Sequence, residues 1–440
     1  MATTVIRDAL IVTMNASDEI VRGDVKIEGN TITAVGGRQE ADGGRVIEAG
    51  GRVLLPGFVQ THVHLCQTLF RGCADDLELM DWLRKRIWPL EAAHDPESVY
   101  YSALLGAGEL IRSGTTTILD METVNHTDSA FEAIRESGIR AVSGKAMMDH
   151  GDHVPPALLE KTADSIEESV RLLEKWNGAA GGRIRYAFSP RFVVSCTEEL
   201  LTTVRDLAEQ YGVPVHTHAA ENREEIAIVE AERGMRNVVY LDAIGLARPN
   251  LILAHAIWLD DEEKRIIRER GVKVTHCPGS NLKLASGIAD VPALAEAGVP
   301  VGFGADGAPC NNNLDMFQEM RLAAFIQKVR LGPTVMRARQ VLRMATMGGA
   351  EVLGMQDEIG SIEPGKRADL QILDLEDFHV YPSAGVDPYS RIVYAATRGD
   401  VDTVMIDGEI VMEGKAVRTI DKAKVLKEAD RCLARLMERI

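Results

Sequence analysis

Six of the chain's eleven histidines fall at the ends of short apolar runs, and two acidic residues share that placement. His62-Val63-His64 closes the run LLPGFVQTHVH, and His216-Thr217-His218-Ala219-Ala220-Glu221 closes VPVHTHAAE. His255, His276 and Asp306 end LILAH, VKVTH and VPVGFGAD in turn. Side chains two apart on a strand point to the same side, so His62 and His64 share a face. Two neutral imidazoles, His218 and the carboxylate of Asp306 supply three nitrogens and one oxygen. That donor set suits one borderline divalent ion, Zn2+ first and Fe2+ second, with a position left for water. HxH alone is weak evidence for such a site. HxH with HxxE, a lone histidine and an aspartate at four separate run ends is far more specific.

The same residues define a hydrolytic chemistry. A bound divalent ion acidifies water towards neutral pH. Glu221, three residues past His218 and beyond the strand end, is expected to carry a proton rather than to bind the ion. His255 is expected to hydrogen-bond the nucleophile and the developing tetrahedral centre, with Asp306 beside it. His216 lies one layer deeper than His218 and His276 sits in the loop VTHCPGSNLKLASG, so both are expected to be structural. A second metal would need an acid or lysine at the end of the fourth run, where Ser189-Pro190-Arg191 stands and Lys145 ends the third instead. One metal is therefore expected.

Those run ends need a scaffold that gathers them. Eight β-branched runs between 56 and 364 alternate with amphipathic segments such as DPESVYYSALLGAGELIRSG, PPALLEKTADSIEESVRLLEKW and TEELLTTVRDLAEQYG. Strict alternation predicts a (β/α)8 TIM-type barrel, an α/β fold whose functional residues gather at the C-terminal ends of the strands. A doubly wound sheet is the rival, but no glycine-rich phosphate loop follows the first run. Strand-turn-strand patterns recur at both ends of the chain (DVKIEGNTITAVG and DTVMIDGEIVMEGKAV). Residues 1–55 and 365–420 are thus expected to form one small composite β-sandwich, 56–364 the barrel, and 421–440 an amphipathic C-terminal helix packing on the barrel or on a partner.

Composition narrows the classes. The chain has 440 residues, 45% of them apolar, and a net charge of −17, which opposes binding to nucleic-acid backbones and anionic membranes. No run approaches the ~18 apolar residues that span a bilayer, and the first residues lack a secretory pattern. Six cysteines without a CxxC pair read as reduced thiols in a cytoplasm.

PGFVQTHVH, HAAEN, AHAIWL, HCPGSNLKLASG, GADGAPCNNNLDMF and IGSIEPGKRADLQILDL together resemble the amidohydrolase superfamily, in its mononuclear branch of aromatic-ring deaminases and triazine hydrolases. The resemblance spans nearly the whole chain. It implies the barrel with its sandwich, one zinc or iron ion, a small-molecule purine-type substrate and a homo-oligomer. THVHLCQTLFRGCADDLELMDWLRKRIWPLE is most similar to deaminases of adenosine, 5′-deoxyadenosine, methylthioadenosine and S-adenosylhomocysteine. By that resemblance Trp82 covers the substrate and Glu91 takes the ribose hydroxyls. Arg191 and Gln67 depart from it and resemble guanine deaminases, where they would contact a base; Gln67 also resembles triazine hydrolases. No arginine pair in MMDHGDHVPP could grip a homocysteine carboxylate, and only Lys145 could stand in, so a small 5′ substituent is favoured. The expected reaction is hydrolytic deamination of 5′-deoxyadenosine or a close relative, giving the inosine product and ammonia. The alternatives are guanine or another free base, a substituted triazine, or a non-catalytic binding protein on the same scaffold.

Overall fold

The computed structural model describes residues 2–151 and 153–440. Eight parallel strands form the sheet at its centre, in the order Ile184–Tyr186, Arg140–Gly144, Thr115–Met121, Phe58–His64, Val301–Phe303, Lys273–His276, Leu251–His255 and Val215–Ala219. A bridge between Phe188 and Val215 links the first of these to the last and closes the barrel. The third and fourth barrel strands break before their ends and continue as the short pair Ala146–Met147 and Ser189–Pro190.

The helices between the strands follow their local signals. Asp95 caps Pro96–Arg112 in a reciprocal capping box with Ser98, and Thr197 caps Glu198–Tyr211 by accepting from the Leu200 amide. The segment PPALLEK does not join its helix, which runs only from Thr162 to Trp176. Pro155 and Pro156 offer no amide hydrogen, and the chain there makes turns instead.

A nine-stranded mixed sheet joins the two ends of the chain. Val53–Pro56 is its hinge, pairing in parallel with Thr3–Val12 and antiparallel with Leu370–Leu373. The run VLLPGFVQTHVH is therefore two strands, broken at Pro56-Gly57, the first in this sheet and the second in the barrel. Buried Arg140, at the start of the third barrel strand, bonds both Asp369 oxygens at 2.7 and 2.9 Å and Asp407 at 2.9 Å, locking sheet to barrel. The C-terminal helix Lys422–Met437 buries Val425, Ala429, Cys432 and Leu436 at helical spacing. It lies on Pro96–Arg112, where Arg435 pairs with Glu97 at 2.9 Å. No helix among the described residues is long and apolar enough to cross a membrane.

Candidate active site

The first barrel strand delivers His62 and His64 to the mouth, and the short strand Asp306–Gly307 pairs with it so that Asp306 stands opposite Val63. One carboxylate oxygen, Asp306 Oδ1, lies 3.3 Å from Nε2 of each histidine. The approach needs Gly304, since a Cβ there would stand 2.5 Å from the His62 carbonyl oxygen. On the fifth strand His218 pairs with Ala254 and Ala219 with His255 of the sixth, so both imidazoles reach the same mouth.

Backbone carbonyls set two of the tautomers. His64 Nδ1–H donates to the Met121 carbonyl and His218 Nδ1–H to the Arg191 carbonyl, both at 2.7 Å. A carbonyl only accepts, so each Nδ1 must carry the hydrogen and each Nε2 a lone pair. Those two Nε2 atoms face each other at 3.3 Å. Burial pushes the His64 imidazole down to about 3 and His218 well below its ordinary range, with the field of His62 adding to both, so a proton between them is disfavoured. His62 Nε2 is likewise buried without a hydrogen-bond partner, while its Nδ1 faces His216 Nε2 at 2.9 Å. Facing lone pairs around a carboxylate are what a divalent cation requires, and the donor set fits zinc or ferrous iron. His62, His64 and Asp306 offer atoms all within 4.8 Å of one another, as do His62, His218 and His255.

Glu221 and His255 sit beside this cluster. Burial pushes the Glu221 carboxyl up to about 7, and its Oε2 lies 3.5 Å from His255 Nε2. Burial would lower His255, but the carboxylates of Glu221 and Asp306 reverse the effect and raise it. Burial opposes the Asp306 charge too, yet the surrounding imidazoles, His62 first, hold it well below the usual carboxylate range. A carboxylate that titrates near neutral pH is matched to proton transfer. Backbone strain coincides with these residues: His255 has φ +72° and Asp306 φ +62°, while Ala220, next to Glu221, has φ +53°.

A pocket with ≈ 380 Å³ of atom-free space opens on the cluster. Its lining combines His64, His218, Glu221, His255 and Asp306 with Gln67, Trp82, Arg191 and Phe192. Glu91 is not part of that lining; it stands behind Gln67 and Arg191. Arg191 Nη1 donates to Glu91 Oε2 at 2.6 Å and Nη2 to Oε1 at 3.2 Å, and Gln67 Nε2 donates to Oε1 at 2.9 Å. Glu91 Oε1 thus has two partners and Oε2 one.

His216 meets the cluster through His62 and stacks beside His218, and both ring nitrogens of buried His276 have no hydrogen-bond partner among the described residues. Lys145 is fully buried and committed to Glu160, at 2.8 and 2.6 Å, which removes it as the stand-in for a carboxylate-gripping arginine. Sequence reasoning missed Ser280, whose hydroxyl donates to Asp306 Oδ2 at 2.6 Å, and Asn281, whose Oδ1 lies 2.8 Å from His255 Nδ1. It also missed Asp120, whose carboxylate accepts from the Leu65 amide at 2.9 Å and so holds the chain just after His64. The motif SN in HCPGSNLKL was the available signal for the first two.

Known proteins resemble the chain over nearly its whole length. Residues 53–411 match the amidohydrolase family. The chain is 43% identical to a 5′-deoxyadenosine deaminase of Methanobrevibacter smithii, over 99% of this chain and 98% of that one. It is 41% identical to a 5-methylthioadenosine/S-adenosylhomocysteine deaminase of Pelotomaculum thermopropionicum over the full length of both. The crystal structure of an adenosine deaminase from Xanthomonas campestris with bound zinc superposes with a TM-score of 0.91 at 34% identity, covering 99% of each chain.

Proposed function

The chain belongs to the amidohydrolase family, and on that premise we propose that it is a metal-dependent deaminase of an adenosine-type nucleoside, 5′-deoxyadenosine or a close relative. The observation that carries the reading is the cluster of inward lone pairs beside a carboxylate that titrates near neutral pH. His62, His64, His218 and Asp306 would hold one divalent ion, zinc by preference. Such an ion supplies Lewis acidity and makes water a better nucleophile at neutral pH.

The chain's own groups handle the protons and the substrate. Glu221 accepts a proton from the attacking water and delivers it to N1 of the purine, which lets C6 become tetrahedral. His255, whose protonated form the carboxylates of Glu221 and Asp306 favour, donates a hydrogen bond from Nε2 as the imidazolium to the oxygen arriving at C6. A second proton moves to the departing nitrogen, so that water and the amine become the inosine-type product and ammonia. Trp82 closes over the base. Glu91, held by Arg191 and Gln67, would accept a ribose hydroxyl that reaches past those two side chains, at Oε2, the oxygen with the spare lone pair. The commitment of Lys145 to Glu160, which leaves it unable to grip a carboxylate, supports a small, uncharged 5′ substituent.

The setting is cytoplasmic and homo-oligomeric in this reading. All six cysteines are unpaired, and Phe325, Val329 and Phe378 are exposed, the last two almost completely. Ammonia release from a panel of 5′-deoxyadenosine, adenosine, methylthioadenosine, S-adenosylhomocysteine, guanine and a chlorotriazine tests the proposal. The highest kcat/KM is expected for 5′-deoxyadenosine or a neighbouring small nucleoside. Preference for guanine or the triazine would refute it, and would point instead to base contacts by Gln67 and Arg191.

A further inference from the structure

A single segment, Pro278–Gly287, touches three members of the active cluster through three different side chains. Ser280 Oγ–H donates to Asp306 Oδ2 at 2.6 Å, Asn281 Oδ1 lies 2.8 Å from His255 Nδ1, and Ser286 Oγ approaches Glu221 Oε1 at 3.5 Å. None of the three is more than 2% exposed. The segment begins as the short helix Pro278–Lys283 and turns back, the Ser286 and Gly287 amides donating to the Asn281 carbonyl at 2.9 and 3.4 Å.

The segment is itself clamped. Buried Glu319 accepts the Gly279 amide at 2.9 Å with one oxygen and the Asn311 side-chain amide at 2.8 Å with the other. Asn311 Nδ2 also donates to the carbonyl of Ala305, the residue before Asp306, at 2.8 Å. One carboxylate therefore ties the segment to the loop that bears Asp306. A Cβ at Gly279 would stand 2.5 Å from Glu319 Oε1, so this contact needs glycine.

We propose that Ser280 and Asn281 form a two-pronged positioning element, Ser280 choosing which Asp306 oxygen faces the histidines and Asn281 choosing which His255 nitrogen faces the substrate. An amide oxygen only accepts, so His255 Nδ1 carries the hydrogen of that bond. Nε2 is left as the end pointing at Glu221 Oε2 and Asp306 Oδ2, at 3.5 and 3.8 Å. Ser280 meanwhile occupies Asp306 Oδ2 with a donated hydrogen bond. Oδ1, which also accepts the Gly307 amide at 2.7 Å, faces His62 and His64 at 3.3 Å each. Groups behind a ligand or an acid–base residue act by holding its tautomer and orientation, and their loss typically costs about 10- to 100-fold in metal affinity or activity.

The kinetic arm of the test rests on the deaminase reading, and two other arms do not. In the zinc-loaded protein, 15N–1H multiple-bond spectra of the imidazoles identify His255 by the signals lost in His255→Gln. The neutral ring is expected as the Nδ1–H tautomer, mixed in Asn281→Ala and restored in Asn281→Asp, which keeps the accepting oxygen. Zinc content should be unchanged in both. Ser280→Ala should bind zinc roughly 10- to 100-fold more weakly in chelator competition, with Ser280→Thr recovering the affinity. On the preferred nucleoside, kcat should fall about 10- to 100-fold in Asn281→Ala with KM within about twofold. An Nε2–H tautomer in the unmodified protein, an unaltered spectrum in Asn281→Ala, or undiminished zinc affinity in Ser280→Ala overturns the proposal. If the spectra and zinc affinities behave as expected while no nucleoside yields ammonia, the positioning element stands and the substrate assignment falls.

Discussion

Replacing Arg191 with methionine separates what Glu91 does for the fold from what it does for the substrate. The Arg191 and Glu91 side chains are 5% and 1% exposed, and their bidentate contact runs at 2.6 and 3.2 Å. Arg191→Met leaves the Glu91 carboxylate buried with Gln67 as its one remaining donor. Stranding a buried charge in this way costs about 3–5 kcal/mol, whereas removing both charges is close to neutral. For a chain of 440 residues unfolding cooperatively, an entropy of ~2.1 cal/mol/K per residue gives roughly 0.9 kcal/mol per kelvin, so Tm should fall by about 3–5 °C. Adding Glu91→Gln should return most of that loss, leaving a coupling of about 2 kcal/mol or more in the double-mutant cycle.

Activity should not return with stability. If Glu91 accepts a ribose hydroxyl, the double variant has lost a hydrogen bond to a charged acceptor, worth ~1.5–3 kcal/mol, or roughly ten- to a hundredfold in kcat/KM for the nucleoside. Thermal unfolding followed by circular dichroism and ammonia release on 5′-deoxyadenosine, both at pH 7, measure the two quantities on the same four proteins. Recovery of stability and nucleoside activity together in Arg191→Met/Glu91→Gln would show that Glu91 is only the counter-ion of Arg191. The ribose assignment would then be wrong.

Chelation should abolish ammonia release and lower Tm, with zinc restoring both, because a ligand at a thousandfold excess over its Kd stabilises by about 4 kcal/mol; undiminished turnover after full metal removal would refute the cluster's role. Glu221→Gln should reduce kcat by ~10²–10⁴ with zinc content unchanged, and normal turnover would exclude Glu221 as the proton carrier. Glu319, pushed up to about 7 by burial, binds its proton more tightly folded than unfolded, so the stability it affects is greatest below its ordinary value of 4.5 and declines as pH rises through 7. That decline is on the order of 3 kcal/mol. Glu319→Gln should flatten the stability profile between those two pH values, and an identical slope in urea titrations of both proteins would contradict the assignment.

The candidate ligands were legible because their signal is local. His62 and His64 share a strand face by two-residue spacing, and His218 and Asp306 sit at run ends that an alternating β/α pattern must bring to one rim. Contacts set by the topology alone left little trace. Arg191 and Glu91 are 100 residues apart, and nothing near either announces the pair. Asn281 reads as an ordinary polar residue in a loop until the seventh strand places it against His255, 26 residues earlier. Lys145 looked available to a ligand because its partner Glu160 lies in a segment whose helical appearance the two prolines cancel. The split of VLLPGFVQTHVH into two strands is marked by Pro56-Gly57, but the apolar run on both sides of it hides the change of sheet.

The left-handed backbone at Ala220, His255 and Asp306 explains why the positioning contacts are needed as well as the ligands. Each non-glycine residue held there costs about 1–3 kcal/mol and persists only where surrounding contacts over-determine it. Asp306 is held by the Gly307 amide at 2.7 Å and by Ser280, His255 by Asn281, and Ala220 by the Ile257 and Trp258 amides donating to its carbonyl at 2.9 and 3.0 Å. With the backbone left-handed at the strand ends, carboxylate and imidazole share the mouth, where Asp306 Oδ1 meets two histidines at once. The strain and the buried hydrogen bonds are thus two halves of one device, and removing the bonds should release the strain by letting the side chains swing away. Weakened zinc binding in Ser280→Ala and a mixed tautomer in Asn281→Ala are the forms that release would take.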